Sequence, residues 1–321
     1  MRIKILILIV LFVSISNFAS AKKDKGNPKN AIADSLVMLN RDYIGIGFSR
    51  LTSSAYYGEE GTLYPDVIGK IDADHDSVYT FTRTTYDFPV SISKSIIKQP
   101  NYCIFVRGEI PIVKNDITKK WIAIGDSADY IGNYNLVYDN TNLPYFNLGI
   151  GADYNYKNFY FTVGGDYTRS LIGTDTAGVA AEIFDIAYSK LKPYFNVTYR
   201  GSKSFFELGG TLTSYFDSPL SNAWSLKLGV GIISVPQTAF GAYVEYAKSF
   251  DKIDMETYPF EPLNYQIAEE YTRLGVYLNV LVEKYFLPEL SYELNLAGKN
   301  TPQIGIFRAK VKMLLDIFKN P

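Results

Sequence analysis

From about residue 40 to the C-terminus, apolar residues recur at every second position, in one segment after another. The clearest case is Trp224, Leu226, Leu228, Val230 and Ile232, separated by Ser225, Lys227, Gly229 and Gly231. Side chains alternate across a strand, so such a segment has one apolar face and one small or polar face. The same pattern runs through 144–156, 158–169, 203–215, 238–249, 272–284, 288–297 and 305–317. Less regular alternation predicts further strands at 41–51, 77–97 (one long or two short), 101–113, 119–137 and 192–200. Together these give about 12–14 strands. Most are 10 to 13 residues long, close to the roughly 9–11 that a tilted strand needs to cross a bilayer. Strands of globular proteins average nearer five or six.

The links between strands fall into two lengths. Asn155 to Asn158, Gly201 to Lys203, Val235-Pro236-Gln237 and Leu287-Pro288 read as tight turns. Longer links are expected at 51–76, 170–191, 215–222, 250–271 and 298–302. Short turns at one end and long loops at the other mark a transmembrane barrel. Within the links, 176–190 has the spacing of a short helix.

The chain begins differently. Arg2 and Lys4 precede the apolar run Ile5 to Val13, and Ala19-Ser20-Ala21 offers a small-x-small cleavage site before Lys22-Lys23-Asp24-Lys25. Residues 1–21 therefore read as a signal peptide, 22–39 as a polar lead-in and 40–321 as the barrel. No Cys follows the cleavage site for a lipid anchor. No later stretch of 18 apolar residues suggests a spanning helix.

Composition narrows the function. The chain carries 32 basic and 33 acidic residues, and loss of Arg2 and Lys4 with the leader moves the net charge from -1 to -3. That balance is not that of a nucleic-acid binder. A single cysteine, Cys103, rules out an internal disulfide or a thiolate zinc site, and a single histidine, His75, rules out a multi-histidine cage. The 27 Tyr and 20 Phe suit strands and a membrane interface. Tyr154, Tyr156, Tyr160, Tyr167, Tyr194, Tyr199, Tyr215 and Tyr285 fall near strand ends, where amphipathic rings match the membrane–water boundary. In lipid every backbone N–H and C=O must pair within the protein, so the sheet must close. The expected fold is all-β, a transmembrane antiparallel up-and-down β-barrel.

On these hairpins, and on the final strand Gly305–Phe318, the chain resembles bacterial outer-membrane β-barrel proteins of porin-like, transport type. Asp87-Phe-Pro-Val-Ser-Ile-Ser93 and Val106-Arg-Gly-Glu-Ile-Pro-Ile112 resemble early strands of porin-like transport barrels, including the phenol-degradation and long-chain fatty acid transporter groups. The resemblance implies a Gram-negative outer membrane, with its lipid and the barrel-assembly machinery as partners. Here Phe318 is followed by Lys319-Asn320-Pro321, whereas such barrels often end on an aromatic residue. The lead-in 22–39 is too short for the plug of the fatty acid transporters.

By parity, Arg107, Glu109, Glu207, Lys227, Glu245, Arg273, Glu283, Glu293, Arg308, Lys310 and Lys312 face inward, because charges on the lipid side are costly. Arg308, Lys310 and Lys312 are expected to face Glu283 and Glu293. Two readings stay open. The charges line a pore and set its ion preference, or they form a salt-bridge network that fills a narrow barrel. The corresponding functions are a passive channel for small solutes, or a non-conducting interaction barrel whose loops bind a partner or ligand.

Other constellations carry less. Asp72, Asp74 and Asp76 have the spacing of a weak divalent-cation site, but Ser77 and Arg83 stand where a calcium loop needs Gly and Glu. Beside them, His75 lacks the Ser-Asn-Gly sequel of an outer-membrane phospholipase, and its neighbouring acids point away from it on an extended chain, unlike an omptin-type centre. Gly45-Ile-Gly47, Gly149-Ile-Gly151 and Gly229-Val-Gly231 lie inside strands and are not nucleotide loops. No cofactor and no enzymatic activity are expected. The acidic, aromatic segment 250–271 is the candidate binding loop.

Overall fold

The structure is a computed structural model. It describes residues 41–58, 60–65, 77–123, 135–142, 145–170, 189–216, 221–235, 238–250, 270–282, 285–299 and 301–315. The leader, the lead-in, His75 with its three aspartates, Glu283, the helix-like segment 176–190, nearly all of 250–271 and the terminal residues beyond 315 lie outside these.

Fourteen strands make one sheet: β1 (Tyr43–Tyr57), β2 (Leu63–Pro65), β3 (Ser77–Lys98), β4 (Tyr102–Ala123), β5 (Asn135–Asn142), β6 (Tyr145–Tyr156) and β7 (Phe159–Ser170), followed by β8 (Ser189–Arg200), β9 (Ser204–Phe216), β10 (Ala223–Val235), β11 (Thr238–Ser249), β12 (Glu270–Val280), β13 (Phe286–Lys299) and β14 (Thr301–Leu314). Twelve of them form a closed ring. Its order is β1, β3, β4, then β6 to β14 in sequence, and β14 returns to β1. Every pairing is antiparallel, so the barrel runs up and down as expected. There is no helix among the described residues.

The other two strands stand outside the ring. Among the described residues, β2 pairs only with the end of β1, and β5 only with Val113–Lys120 of β4. β4 leaves its barrel partner β6 after Glu109, but keeps pairing with β3 as far as Ala123. The β3–β4 hairpin thus outgrows the barrel, and β5 completes a three-stranded arm. This corrects the expected strand at 119–137: residues 119–123 end β4, and β5 begins at Asn135.

Tight connections gather at the end where β1 starts and β14 stops. The β6–β7 turn is Lys157-Asn158, with Lys157 at φ 56, a left-handed conformation unusual for a residue with a Cβ. Leu287-Pro288, expected as a turn, lies inside β13; the chain reverses just before it, between Val280 and Phe286. At the opposite end the links are long, with one exception. Between β13 and β14 only residue 300 intervenes, so the expected long link at 298–302 is a tight turn.

The period-two pattern dictates what each face meets. Ile46, Leu228, Ile150 and Leu148 point outward and are 55–63% exposed. So do Val90, Ile92, Ile110, Val163, Leu226 and Phe240. A continuous apolar exterior of this kind is costly in water and suits lipid. Tyr154, Tyr156 and Tyr285 stand on the exposed surface as interface residues should, but Tyr194 does not. It lies on the inner face, with its ring over Gly164 of β7.

Candidate functional site: the charged lumen

The inner wall is built from aromatic rings laid across glycines. Phe105 faces Gly151 in register, Tyr194 faces Gly164, Phe205 faces Gly231, and Tyr243 and Tyr277 face Gly275 and Gly241. In each pair a Cβ on the glycine would overlap the facing ring; at Gly151 it would lie 2.5 Å from Phe105 Cζ. Glycine is required there for close approach, and the ring lies flat along the wall instead of projecting across the bore. Gly151 and Gly231, each the second glycine of a Gly-x-Gly sequence, are therefore seats for aromatics on the neighbouring strand.

On this wall sit the charges. All the inward candidates within the described residues face the lumen, and they are joined in opposite-sign pairs. Lys227 meets Glu207 at 3.4 Å. Arg273 lies between Glu245 at 3.7 Å and Glu293 at 3.5 Å. Arg308 also bonds Glu293. Lys310 reaches Glu109 at 3.4 Å, and Lys312 reaches Glu289 at 2.6 Å. Arg107 holds Asp166, with Nε donating to Oδ1 at 2.8 Å. Several of these cations also lie over tyrosine rings: Lys227 is 4.1 Å from the Tyr243 centroid and Lys312 is 5.0 Å from that of Tyr43.

Of the two acids expected to face the β14 cations, Glu283 lies outside the described residues and Glu293 is shared unequally. Only Arg308 takes Glu293; Lys310 reaches past β1 and β3 to β4, and Lys312 takes Glu289 on β13. The reason is register. Glu289 stands directly beside Lys310 but is angled to Lys312, and a one-strand reading cannot see β4 at all.

Solvent access falls along β14 toward the short-turn end: Arg308 is 45% exposed, Lys310 22% and Lys312 7%. The bore therefore narrows in that direction. At its end Tyr43, Phe205, Ile233, Ala239, Leu281, Leu287 and Leu314 pack into one apolar cluster inside the ring. Across from it, Arg41 lies over the Phe105 ring at 4.1 Å and forms two bonds to Asp153, at 2.6 and 2.7 Å. Asp153 also accepts from Thr162 at 2.8 Å. Asp42 accepts from the Ser95 N–H at 2.6 Å and faces Lys94 at 3.2 Å. Sequence reasoning missed Arg41, Asp153, Asp166 and Glu289 as lumen charges, and Asp42 at the rim. The two strand aspartates had the correct parity, Asp153 alternating with Ile150, Ala152 and Tyr154 on β6 and Asp166 with Phe161 and Val163 on β7, and that signal was available.

Of the remaining candidates, Cys103 faces inward and donates to Ser95 Oγ at 3.3 Å, an ordinary packing role. Among the described residues no group of three or more His, Cys, Asp or Glu is arranged to hold a metal ion.

No family model matches the chain, and no curated protein matches it. Solved structures do. The chain is similar to an outer membrane channel from Pseudomonas putida F1 at 14% identity, covering 92% of this chain and all of that one, with a TM-score of 0.60. It is also similar to the KdgM porin, at 8% identity over 84% of this chain and 99% of that chain, TM-score 0.44. A Pseudomonas aeruginosa FadL homologue gives 10% identity, 90% and 93% coverage and a TM-score of 0.45. At such identities the likeness is one of fold. A closed twelve-stranded antiparallel ring with an apolar exterior and a charged bore is the fold of the bacterial outer-membrane β-barrels of porin-like type, and the chain has that fold.

Proposed function

We propose that the protein is a passive outer-membrane channel that admits small solutes through a narrow, charged bore. Residues 1–21 direct export, and the barrel-assembly machinery inserts the chain. The observation that carries this reading is the solvent access of the inner charges. Arg308, Arg107 and Lys227 keep 45%, 34% and 33% of their side-chain surface open although they face inward. Water must reach the middle of the barrel for that to hold, and a sealed salt-bridge core would bury them. No catalytic role is proposed.

The test is single-channel conductance of refolded protein in planar bilayers, after a heat-modifiability gel has verified folding. Discrete steps are expected, small ones, because the short-turn end is crowded. A folded barrel without steps removes the channel reading.

A second reading has its own support. The apolar cluster and the Arg41–Asp153 pair crowd the short-turn mouth, and the β3–β4–β5 arm extends beyond the ring. A non-conducting barrel that presents this arm and its loops to a partner would look the same. Silent bilayers together with surface capture of a ligand would favour it.

A further inference from the structure

We propose that Lys192 on β8 is the anion-recognition point of the lumen, and that the channel favours small carboxylates and similar small anions over cations. This rests on the channel reading. It moves the selectivity determinant away from the basic strand β14, to the opposite wall.

Four residues stand side by side around the wall in one register row: Arg107, Gly149, Asp166 and Lys192. Asp166 and Lys192 are direct cross-strand neighbours, and opposite charges so placed ordinarily pair. Here they do not. Arg107 reaches over the bare backbone of Gly149 and takes both carboxylate oxygens of Asp166. Its guanidinium is steadied over the Tyr194 ring, 5.0 Å from the centroid. A bidentate guanidinium outcompetes a single ammonium for a carboxylate. Lys192 is left facing the lumen, half-buried, with no ion pair among the described residues.

The β14 cations differ in kind. Arg308, Lys310 and Lys312 each carry a glutamate. A bridged pair presents a dipole, whose field decays faster than that of an unpaired charge, so the pairs contribute little to choosing between cation and anion. β8 is the sixth strand round the ring from β14, so Lys192 faces the neutralised wall across the bore. Lys190 lies on the same face two residues away, roughly 7 Å along the strand. Its register neighbour Thr168 donates its hydroxyl to Asn147 Oδ1.

The experiment is the reversal potential of the full refolded chain across a potassium chloride gradient. The wild type is expected to prefer chloride. Lys192→Gln should lower the chloride-to-potassium permeability ratio about tenfold, since one unit charge some 5 Å from the ion path in water shifts each ion about fourfold, in opposite senses, and salt screens part of this. Lys203→Gln removes a charge from an exposed turn and should leave the ratio as it was. The paired double change Glu109→Gln with Lys310→Gln should shift it less than Lys192→Gln does. If Lys192→Gln fails to refold, Asp166→Asn serves instead: it removes the acid of the row and should raise the ratio. A cation-preferring wild type, or a Lys192→Gln channel with an unchanged ratio, overturns the proposal. If the folded wild type gives no steps, the channel reading fails by itself. The site is then judged by calorimetric binding of succinate in detergent: heat present in the wild type and lost in Lys192→Gln upholds it, and equal heats or none overturn it.

Discussion

Arg107 on β4 and Asp166 on β7 are bonded across β6, a strand that belongs to neither. Gly149 makes this possible. A Cβ there would lie 2.8 Å from Arg107 Cγ and would overlap Asp166 Oδ1. Gly149→Val should therefore break the bridge and strain the wall. We expect a loss of about 1–3 kcal/mol, the usual range for overpacking, read as a lower urea midpoint in the heat-modifiability assay. Asp166 would then be free to turn to its neighbour Lys192.

The aromatic seats make a paired prediction. Gly231→Ala should destabilise the barrel, because its Cβ would overlap the Phe205 ring and lie 2.7 Å from the Phe240 carbonyl oxygen. Gly165→Ala should not, because the nearest atom, Leu191 Cδ1, would be 3.9 Å away. The two glycines differ by one methyl's worth of room. Urea midpoints that move together would refute the seating argument.

Arg41 and Asp153 crowd the short-turn mouth, with only 8% and 13% of their side chains exposed. Removing one partner of a well-buried pair leaves the other charge unsatisfied, at a cost of about 3 kcal/mol. Arg41→Gln should be less stable than the wild type. It should also conduct in larger steps, because the guanidinium no longer spans the mouth. Unchanged step size would mean that the constriction lies elsewhere.

Asp42 predicts a pH dependence. Burial alone would raise its carboxyl. The Ser95 N–H and the Lys94 ammonium outweigh that and hold it below the ordinary carboxylate range. A depressed value in the folded protein means that the stabilisation is fully present above the unfolded value, ~3.9, and is lost as pH falls through the folded value. Asp42→Asn should therefore be less stable than the wild type near neutrality. The two should converge as pH falls through the depressed folded value. A constant gap from neutrality into that range would show that the contribution is not ionic.

Parity was the legible part of this chain. Lys227 stands between Leu226 and Leu228, and that alone places it in the bore. The same reasoning placed Arg273 and Glu293. Pairing was not legible, because it depends on stagger between strands far apart in sequence. Lys310 and Glu109 are 201 residues apart, and no local pattern joins them. Nor did alternation show that β3 and β4 run past the membrane, since polar residues occupy both parities from Lys114 to Lys120 while the ladder with β3 continues. The glycines were legible as strand glycines. Their role as seats needed the cross-strand register, which a single strand does not contain.

The seam of the ring has a consequence for how the molecule is made. Tyr43–Tyr57 pairs with Leu314–Thr301, so the first barrel strand and the last are neighbours. A chain that ends at β13 would leave two open edges of unpaired N–H and C=O groups facing hydrocarbon, each costing several kcal/mol. A partial ring is therefore not a smaller version of the finished one. Closure must await the last fourteen-residue strand, and these most sequence-distant contacts carry the largest loop-closure entropy. Assembly should be all-or-none and slow, with its rate set by how quickly the two ends of the chain find each other. Circular permutants cut between β6 and β7, which join those ends covalently, move the seam to β6 and β7 without shortening it, and should close into the same barrel at a similar rate.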